Sequence, residues 1–304
     1  MNKEQQNERI KRIAQNVLSL PALPTIIAKM IELIDDPKTS ASQLAKLIST
    51  DQVLTTKILK MANSAYYGFP RRIATINLAI VILGFDMLKD VGLGVSIIDR
   101  FKNKSSDESF DMSRFWEHSI ACGVIGKMLA RKMRYRLSGE VFVAGVIHDI
   151  GKLILNQYFT KEFDGIMERV KTKGESFKQA ELEELGIGHA LIGSWLAEKW
   201  NLPEQLVEAI RHHHTPNQAV INPELTAMVH FSDFLCKWLR IGYSGDDIPP
   251  KINEAALQHL NLHYKENIVD FDYYAELVNS ELEKAETFIN LIQGKAVADR
   301  EFAD

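Results

Sequence analysis

Apolar residues recur along almost all of this chain with the three- and four-residue spacing of one helical face, and no segment shows the alternation of a half-buried strand. Residues 41–49 illustrate the pattern. Leu44, Leu47 and Ile48 fall on one face, and Ser40 occupies the position expected of a helix N-cap. The pattern predicts a series of amphipathic helices.

Helix boundaries are also marked in the second half of the chain. Ser176 and Gln179 have the spacing of a capping box, and Gly186 follows the last apolar position of the same helix. The nine prolines fall mostly at predicted helix starts or in loops. The prediction is therefore an all-α protein.

Two polar segments interrupt the helical pattern. Residues 102–109 are small and charged, which is typical of a linker, and residues 242–250 are rich in Gly, Asp and Pro, which is typical of a loop. These breaks predict five regions along the chain. They are an N-terminal helical extension (1–17), an N-terminal helical subdomain (18–105), a helical bundle (110–240), C-terminal helices (241–294) and a tail (295–304).

Composition narrows the class of protein. The chain is 46% hydrophobic and 25% charged, as in soluble globular proteins, and its net charge of -4 gives no reason to expect non-specific attraction to nucleic acid or to an anionic membrane. Residues 1–15 lack the apolar core of a signal peptide, and no apolar run is long enough to cross a bilayer. Cys122 and Cys236 lie in apolar segments and are predicted to be buried free thiols. We expect a cytoplasmic protein.

Residues 39–64 have a pattern that also suits a DNA-binding helix-turn-helix, with the turn at residues 49–51. The second helix of this segment offers only Lys57 and Lys60 as cations, and its other positions are largely apolar. A buried helix accounts for this pattern better than a recognition helix. We therefore do not expect DNA binding.

Histidines are the most informative residues of this chain. None precedes His118, and seven of the nine lie between His118 and His230. The run from His148 and Asp149 to Lys152 follows an apolar stretch, so that an imidazole and a carboxylate at a helix end could point at one metal ion. Lys152 lies three residues after Asp149, on the same side of a helix, where its charge could hold a phosphate oxygen.

Other candidate ligands belong to separate predicted helices. His118 and His189 stand near the starts of two apolar stretches, a triplet of histidines (212–214) ends a third helix, and Asp233 lies inside an apolar run where an unpaired carboxylate is costly. Each of these residues alone has an ordinary structural explanation, such as a core histidine or a complement to a helix dipole. Their combination favours metal binding.

The order and surroundings of these residues resemble the HD superfamily, and in particular its HD-GYP branch. This resemblance implies an all-helical, HD-domain-like bundle with two metal ions held between helices, and it implies a division of the ligands between the two ions. The first ion would be held by His118, His148, Asp149 and Asp233. Asp149 would bridge to a second ion, held also by His189, His213 and His214, with His212 as the alternative within the triplet. Asp149 and Lys152 would be the catalytic residues.

The N-terminal half resembles the HDOD family, whose name means HD-related output domain and whose members are modules of bacterial signalling proteins. The matching segments are residues 20–24, 51–54, 59–66 and 76–84, and the resemblance covers roughly residues 18–240. Many members of this family lack the HD ligands, which this chain retains. The Gly-Tyr-Pro signature of the HD-GYP branch is absent after His214, and Arg114 stands where a ligand for a third metal would be expected. These departures disfavour cyclic dinucleotide hydrolysis and favour two ions over three.

Two functions follow from the resemblance. In the first, the protein is a signalling protein with a dinuclear site that hydrolyses a phosphomonoester or phosphodiester. In the second, it is a non-catalytic output module whose metal site is structural or only binds a nucleotide. Imidazole and carboxylate ligands favour iron or manganese and also suit zinc or nickel. Expected partners are a nucleotide or phosphorylated ligand, signalling proteins and a second copy of the chain, with no membrane.

Overall fold

Helices make up nearly all the regular structure, so the predicted all-α class is confirmed. The computed structural model describes residues 3–64, 69, 71–102 and 110–293. Its elements are α1 (Lys3–Ser19), α2 (Thr25–Asp35), α3 (Ala41–Ile48), α4 (Gln52–Ala62), α5 (Ile76–Lys102), α6 (Met112–Lys132), α7 (Ser138–Ile147), α8 (Ile150–Tyr158), α9 (Thr160–Lys173), α10 (Phe177–Leu185), α11 (His189–Lys199), α12 (Glu204–His212), α13 (Pro223–Trp238), α14 (Glu254–Leu257), β1 (Tyr264–Lys265), β2 (Ile268–Val269) and α15 (Phe271–Gln293).

The predicted helix caps form where the sequence placed them. Ser40 and Gln43 make a complete capping box at the start of α3. The Ser176 hydroxyl accepts a hydrogen bond from the backbone N–H of Gln179, and Gly186 ends α10 in the left-handed conformation with φ of 78°. Such caps satisfy backbone groups that the helix itself leaves unpaired, and they define where each helix begins and ends.

A small antiparallel hairpin, β1 and β2, was not predicted. Its turn residues Glu266 and Asn267 have φ of 52° and 66°, as a tight two-residue hairpin turn requires. Two residues per strand are too few for the alternation that identifies a strand in a sequence.

The chain folds into two compact units. Among the described residues, the first unit comprises those of 1–22 and 101–275, and the second comprises those of 23–100 and 276–293. The predicted five-part division remains a prediction, although its boundary between residues 105 and 110 lies close to the change of unit at residues 100–101. The linker predicted at residues 102–109 falls outside the described residues except for Lys102, and so does the tail (295–304).

In the first unit, the N-terminal helix α1 belongs with the helices that follow residue 101. The indole N–H of Trp200 donates to the backbone carbonyl of Pro21 at 3.1 Å, and Lys199 donates to the carbonyls of Leu18 and Leu20. Within this unit α6 and α7 lie in direct backbone contact, because a Cβ added to Gly145 would stand 2.7 Å from the Cα of Gly123. This close approach holds the C-terminal end of α7 against α6.

The second unit contains α2 to α4, nearly all of α5 and the later part of α15. Leu54, Ile58 and Met61 are buried, which confirms the prediction that the apolar face of α4 packs inside the protein. The Asn63 side chain accepts from the backbone N–H of Ile73 at 2.7 Å and donates to its carbonyl at 2.8 Å, which ties the end of α4 to the segment before α5.

Among the described residues, no helix is both long and apolar enough to cross a membrane.

Candidate metal centre

The adjacent His148 and Asp149 occupy the junction between two helices of the first unit. Helix α7 ends at Ile147 and α8 begins at Ile150, so neither side chain is confined to a regular helical face. The Nδ1 atom of His148 lies 2.7 Å from the carbonyl oxygen of Gly145. A carbonyl only accepts, so Nδ1 donates, and the neutral ring keeps its lone pair on Nε2. The imidazole is thereby oriented as a metal ligand.

The first cluster of candidate ligands combines residues from three places in the chain. His118, Cys122, His148 and Asp233 each offer one ligand atom, and these atoms lie within 4.8 Å of one another. Asp233 Oδ1 lies 3.2 Å from Nε2 of His118 and 3.8 Å from Nε2 of His148. All four residues are buried. Three are predicted ligands; Cys122 was predicted only to be a buried thiol.

The second cluster is formed by Asp149, His189, His213 and His214. The Nε2 atom of His189 lies 3.3 Å from that of His213 and 3.2 Å from that of His214. Ligand atoms around one transition-metal ion, each bound at about 2.0–2.1 Å, are separated by about 3.0–3.4 Å. The three imidazole nitrogens therefore have the spacing of ligands to a single ion.

Asp149 connects the two clusters. Its Oδ2 lies 3.4 Å from Nε2 of His148, whereas its Oδ1 lies 2.9 Å from Nε2 of His189 and 3.6 Å from that of His213. One carboxylate oxygen thus faces each group of imidazoles. This is the arrangement that a bridging carboxylate requires.

The protonation of the second cluster is fixed by its outer hydrogen bonds. Nδ1 of His189 lies 2.8 Å from Glu181 Oε1, and Nδ1 of His213 lies 2.7 Å from the carbonyl oxygen of Ile210. Both Nδ1 atoms therefore donate, so in the neutral, metal-binding form of each ring the Nε2 lone pair is directed at the other imidazole and at Asp149. Carboxylates and carbonyls commonly hold metal-binding histidines in this way.

Several ligand atoms have no hydrogen-bond partner among the described residues although they are fully buried. They are Nε2 of His148, Oδ1 of Asp149 and Oδ1 of Asp233. The short distances from these oxygens to neighbouring imidazoles lack hydrogen-bond geometry. Buried polar atoms are rarely left unpaired, and lone pairs that converge at such distances repel each other without a cation. The residues present therefore fit two divalent metal ions.

The electrostatic surroundings of Asp149, His213 and His214 favour the deprotonated side chains that bind a metal ion. Burial raises the pKa of Asp149, but the charges of His148 and Lys152 outweigh it and hold this pKa well below the ordinary value. Burial and the neighbouring imidazoles lower the pKa of His213 and His214 well below the usual range. The carboxylate is therefore ionised and these two imidazoles are neutral, as metal binding requires.

Two other histidines have raised pKa values and bind a proton more tightly than a free imidazole when no cation is present. Burial lowers the pKa of His118, but Cys122 and Asp233 outweigh this effect and raise it to about 10. Burial also lowers the pKa of His189, but Glu181 and Asp149 raise it above the usual value. A metal ion would displace these protons from the cluster.

Lys152 lies beside the carboxylate of Asp149, three residues before it in the chain. Its Nζ donates to Asp149 Oδ2 at 2.7 Å and lies 3.4 Å from the hydroxyl of Ser244. The ammonium group also lies 5.0 Å from the centre of the Phe177 ring. Lys152 is 1% exposed, so its charge acts in an interior where electrostatic interactions are strong.

The loop that contains Ser244 is held in place by contacts with three other segments of the first unit. Asp246 pairs with Lys237 at 2.9 Å and accepts from the backbone N–H of Phe177 at 2.8 Å. Arg114 donates to the carbonyl of Gly242 at 2.9 Å. Arg114, which stands where a third-metal ligand would be expected, therefore has a structural partner instead.

Sequence patterns did not identify every residue of the site. The structure places His213 and His214 in the second cluster and directs His212 to the hydroxyl of Thr215, at 3.2 Å. Glu181 and Cys122 were missed as site residues. A glutamate eight positions before a histidine has no recognisable spacing, and a cysteine in an apolar helix has the pattern of a core residue.

An all-helical protein with a buried, double histidine and aspartate cluster at a helix junction is a protein of the HD type. The chain belongs to the HDOD family, since the HDOD domain model matches residues 20–216.

Two solved structures share the fold of this chain over nearly all their length. An HDOD domain protein of unknown function from Geobacter sulfurreducens is 26% identical with a TM-score of 0.79, covering 96% of this chain and 99% of that protein. A protein from Shewanella amazonensis, provisionally named a phosphohydrolase, is 24% identical with a TM-score of 0.70, covering 93% and 98%. An uncharacterised Treponema pallidum protein is 26% identical over 75% of this chain, which spans only 44% of that relative.

Proposed function

We propose that this chain is a signalling protein of the HDOD family whose buried site holds two divalent transition-metal ions and hydrolyses phosphate esters. The observation that carries the proposal is the pair of four-residue clusters with one carboxylate, Asp149, facing both. The provisional name of the Shewanella relative as a phosphohydrolase agrees with this proposal. The HDOD membership supports the signalling context.

The chemistry of the site is divided between the ions and the chain. Two such ions polarise a phosphoryl oxygen and activate water near neutral pH. Asp149 holds its two oxygens toward the two clusters, and Glu181 keeps the lone pair of His189 directed inward. Lys152 places a positive charge beside Asp149, where it can stabilise the charge that develops on a phosphoryl group.

The substrate class follows from the same residues. A buried ammonium group beside the predicted metal ligands recognises a phosphate, which makes phosphomonoesters and phosphodiesters of nucleotides the substrates to test. Cyclic dinucleotides are not the expected substrates, because the Gly-Tyr-Pro signature is missing from the segment after His214.

The proposal is tested with purified protein loaded with iron or manganese and a panel of nucleotide phosphomonoesters and phosphodiesters. We expect release of phosphate or of a nucleotide monoester that a chelator abolishes and that Asp149→Ala reduces by at least about a thousandfold, since removing the bridging ligand disrupts both sites. His259→Ala is the matched control, because His259 is exposed and lies outside both clusters. Metal-loaded wild-type protein that hydrolyses none of the panel would refute catalysis.

One observation favours the alternative function, a non-catalytic module with a structural metal site. The ligands His118, His148, Asp149, His189, His213 and Asp233 are each at most 1% exposed. A substrate can reach such atoms only if the covering segments move. Under this alternative, Asp149→Ala lowers the melting temperature and removes the metal, while the metal-loaded wild type shows no turnover.

A further inference from the structure

Cys122 lies one helical turn after His118 on α6, so both side chains project from the same face of that helix. Its Sγ lies 3.6 Å from Nε2 of His118, and both residues are at most 1% exposed. Histidine and cysteine at this spacing can bind one metal ion together. The sulfur is therefore placed among the predicted ligands of the first ion.

We infer that Cys122 is a fifth protein ligand of the first ion, which adds thiolate coordination to the predicted ligands His118, His148, Asp233 and the bridging Asp149. The inference rests on the proposed metal centre and adds a ligand to it. A second observation supports it independently of the cysteine. Nε2 of His148 and Oδ1 of Asp233 are buried, lack hydrogen-bond partners among the described residues, and lie within 4.8 Å of the sulfur.

The charge balance of the interior also favours a thiolate. Two divalent ions beside Lys152 bring more positive charge than Asp149 and Asp233 can offset. Uncompensated charge in a protein interior is costly, and a thiolate reduces the excess. A metal ion deprotonates a coordinating thiol, and the proton passes to water as the ion binds.

Sulfur coordination makes the two metal sites chemically different. The first site offers two nitrogens, one sulfur and carboxylate oxygen, whereas the second offers three nitrogens and carboxylate oxygen. Thiolate ligands favour zinc or iron over manganese, while an imidazole and carboxylate site accepts manganese readily. The first site is therefore selective for a thiophilic ion.

Cobalt titration of the full-length protein tests the inference, because a thiolate ligand gives bound Co²⁺ a sulfur-to-cobalt charge-transfer band in the near ultraviolet. We expect this band in the wild type and in the Cys236→Ala control, and its loss in Cys122→Ser. Cys236 is the appropriate control, since it is a buried thiol adjacent to Cys122 but lies outside both clusters. X-ray absorption of wild-type protein loaded with two zinc ions should show sulfur at about 2.3 Å, as one sulfur atom for every two zinc ions.

The possible results separate a failure of this inference from a failure of the proposed metal centre. Wild-type protein that binds cobalt without a thiolate band, or zinc without a sulfur neighbour, would overturn the role of Cys122 and leave the metal centre intact. Loss of the band in Cys236→Ala but not in Cys122→Ser would also overturn it. Wild-type protein that binds no metal would overturn both. If Cys122→Ser does not fold, the wild-type spectra still decide.

Discussion

Glu181 controls the orientation of a predicted metal ligand without belonging to either cluster. Its Oε1 accepts from Nδ1 of His189 at 2.8 Å, and its Oε2 accepts from the backbone N–H of His189 at 2.7 Å. The carboxylate is 1% exposed, so neither bond is replaced easily by water. The two contacts fix both the ring of His189 and the start of its helix.

Replacing this carboxylate should weaken metal binding. Glu181→Gln keeps the shape of the side chain, but an amide has only one accepting oxygen for two donors, so His189 loses one of its supports. Removal of such a partner usually lowers metal affinity by about 10- to 100-fold. Metal titration by calorimetry measures the effect, with the exposed Glu183→Gln on the same helix as the control. Equal affinities for the two variants would refute this role of Glu181.

Individual site residues were predictable only where several signals agreed. His148 and Asp149 were recognisable because they are adjacent, follow an apolar stretch and precede Lys152 at helical spacing. Glu181 and Cys122 were not, because their roles depend on packing between segments far apart in the chain. The sequence contains both residues but no spacing that relates them to the cluster.

Helices α8 and α11 approach each other closely enough for their backbones to touch. A Cβ added to Gly151 would stand 1.9 Å from the carbonyl oxygen of His189 and 2.9 Å from the backbone nitrogen of Gly193. The glycine in the motif that follows His148 and Asp149 is therefore required by helix packing. It brings the second-cluster residue His189 next to Asp149.

Adding a methyl group at this contact should separate the two helices. We expect Gly151→Ala to lower the free energy of unfolding by about 3 kcal/mol or more, at the upper end of overpacking effects, since the clash is with backbone atoms. Gly165→Ala is the matched control, because a Cβ there meets only the Glu184 side chain at 3.4 Å and alanine favours a helix. Urea denaturation measures the free energy of unfolding of both variants. Equal values for the two would show that the contact between α8 and α11 is unimportant.

The ends of helices could be predicted from the sequence where a few neighbouring residues determine them. The start of α3 and the end of α10 follow from Ser40 and Gly186, because capping depends on neighbouring residues alone. The hairpin at Glu266 and Asn267 was missed, since neither residue strongly favours positive φ in the way glycine does. Short elements without such residues are specified by their surroundings.

The grouping of α1 with the later helices is a property of tertiary structure that the sequence pattern did not predict. The N-terminal segment was expected to form an extension before the first subdomain, and it belongs to the compact unit that contains the metal centre. Hydrogen bonds from Lys199 and Trp200 to Leu20 and Pro21, just after α1, join parts of the chain about 180 positions apart. Periodicity reports which face of a helix is buried, but not which partner buries it.

Metal binding should contribute to the stability of the whole first unit. An ion that binds only the folded chain stabilises it by about 4 kcal/mol at a thousandfold excess over its dissociation constant. A chelator should therefore lower the melting temperature of metal-loaded wild-type protein by about 10 °C. Asp149→Ala should melt at the same temperature with and without chelator. A melting temperature of the wild-type protein that does not change with chelator would contradict stabilisation of the fold by metal.

The candidate ligands are distributed from His118 to Asp233, so no short peptide from this chain contains all four ligands of either cluster. The helices that carry them must therefore dock before an ion can be captured, and capture becomes one of the last events in folding. Release of a bound ion also requires those helices to come apart, because the ligands are deeply buried. The lifetime of a bound ion is consequently set by how often this region opens, and an ion acquired during synthesis would be retained long after free metal in the surroundings has changed.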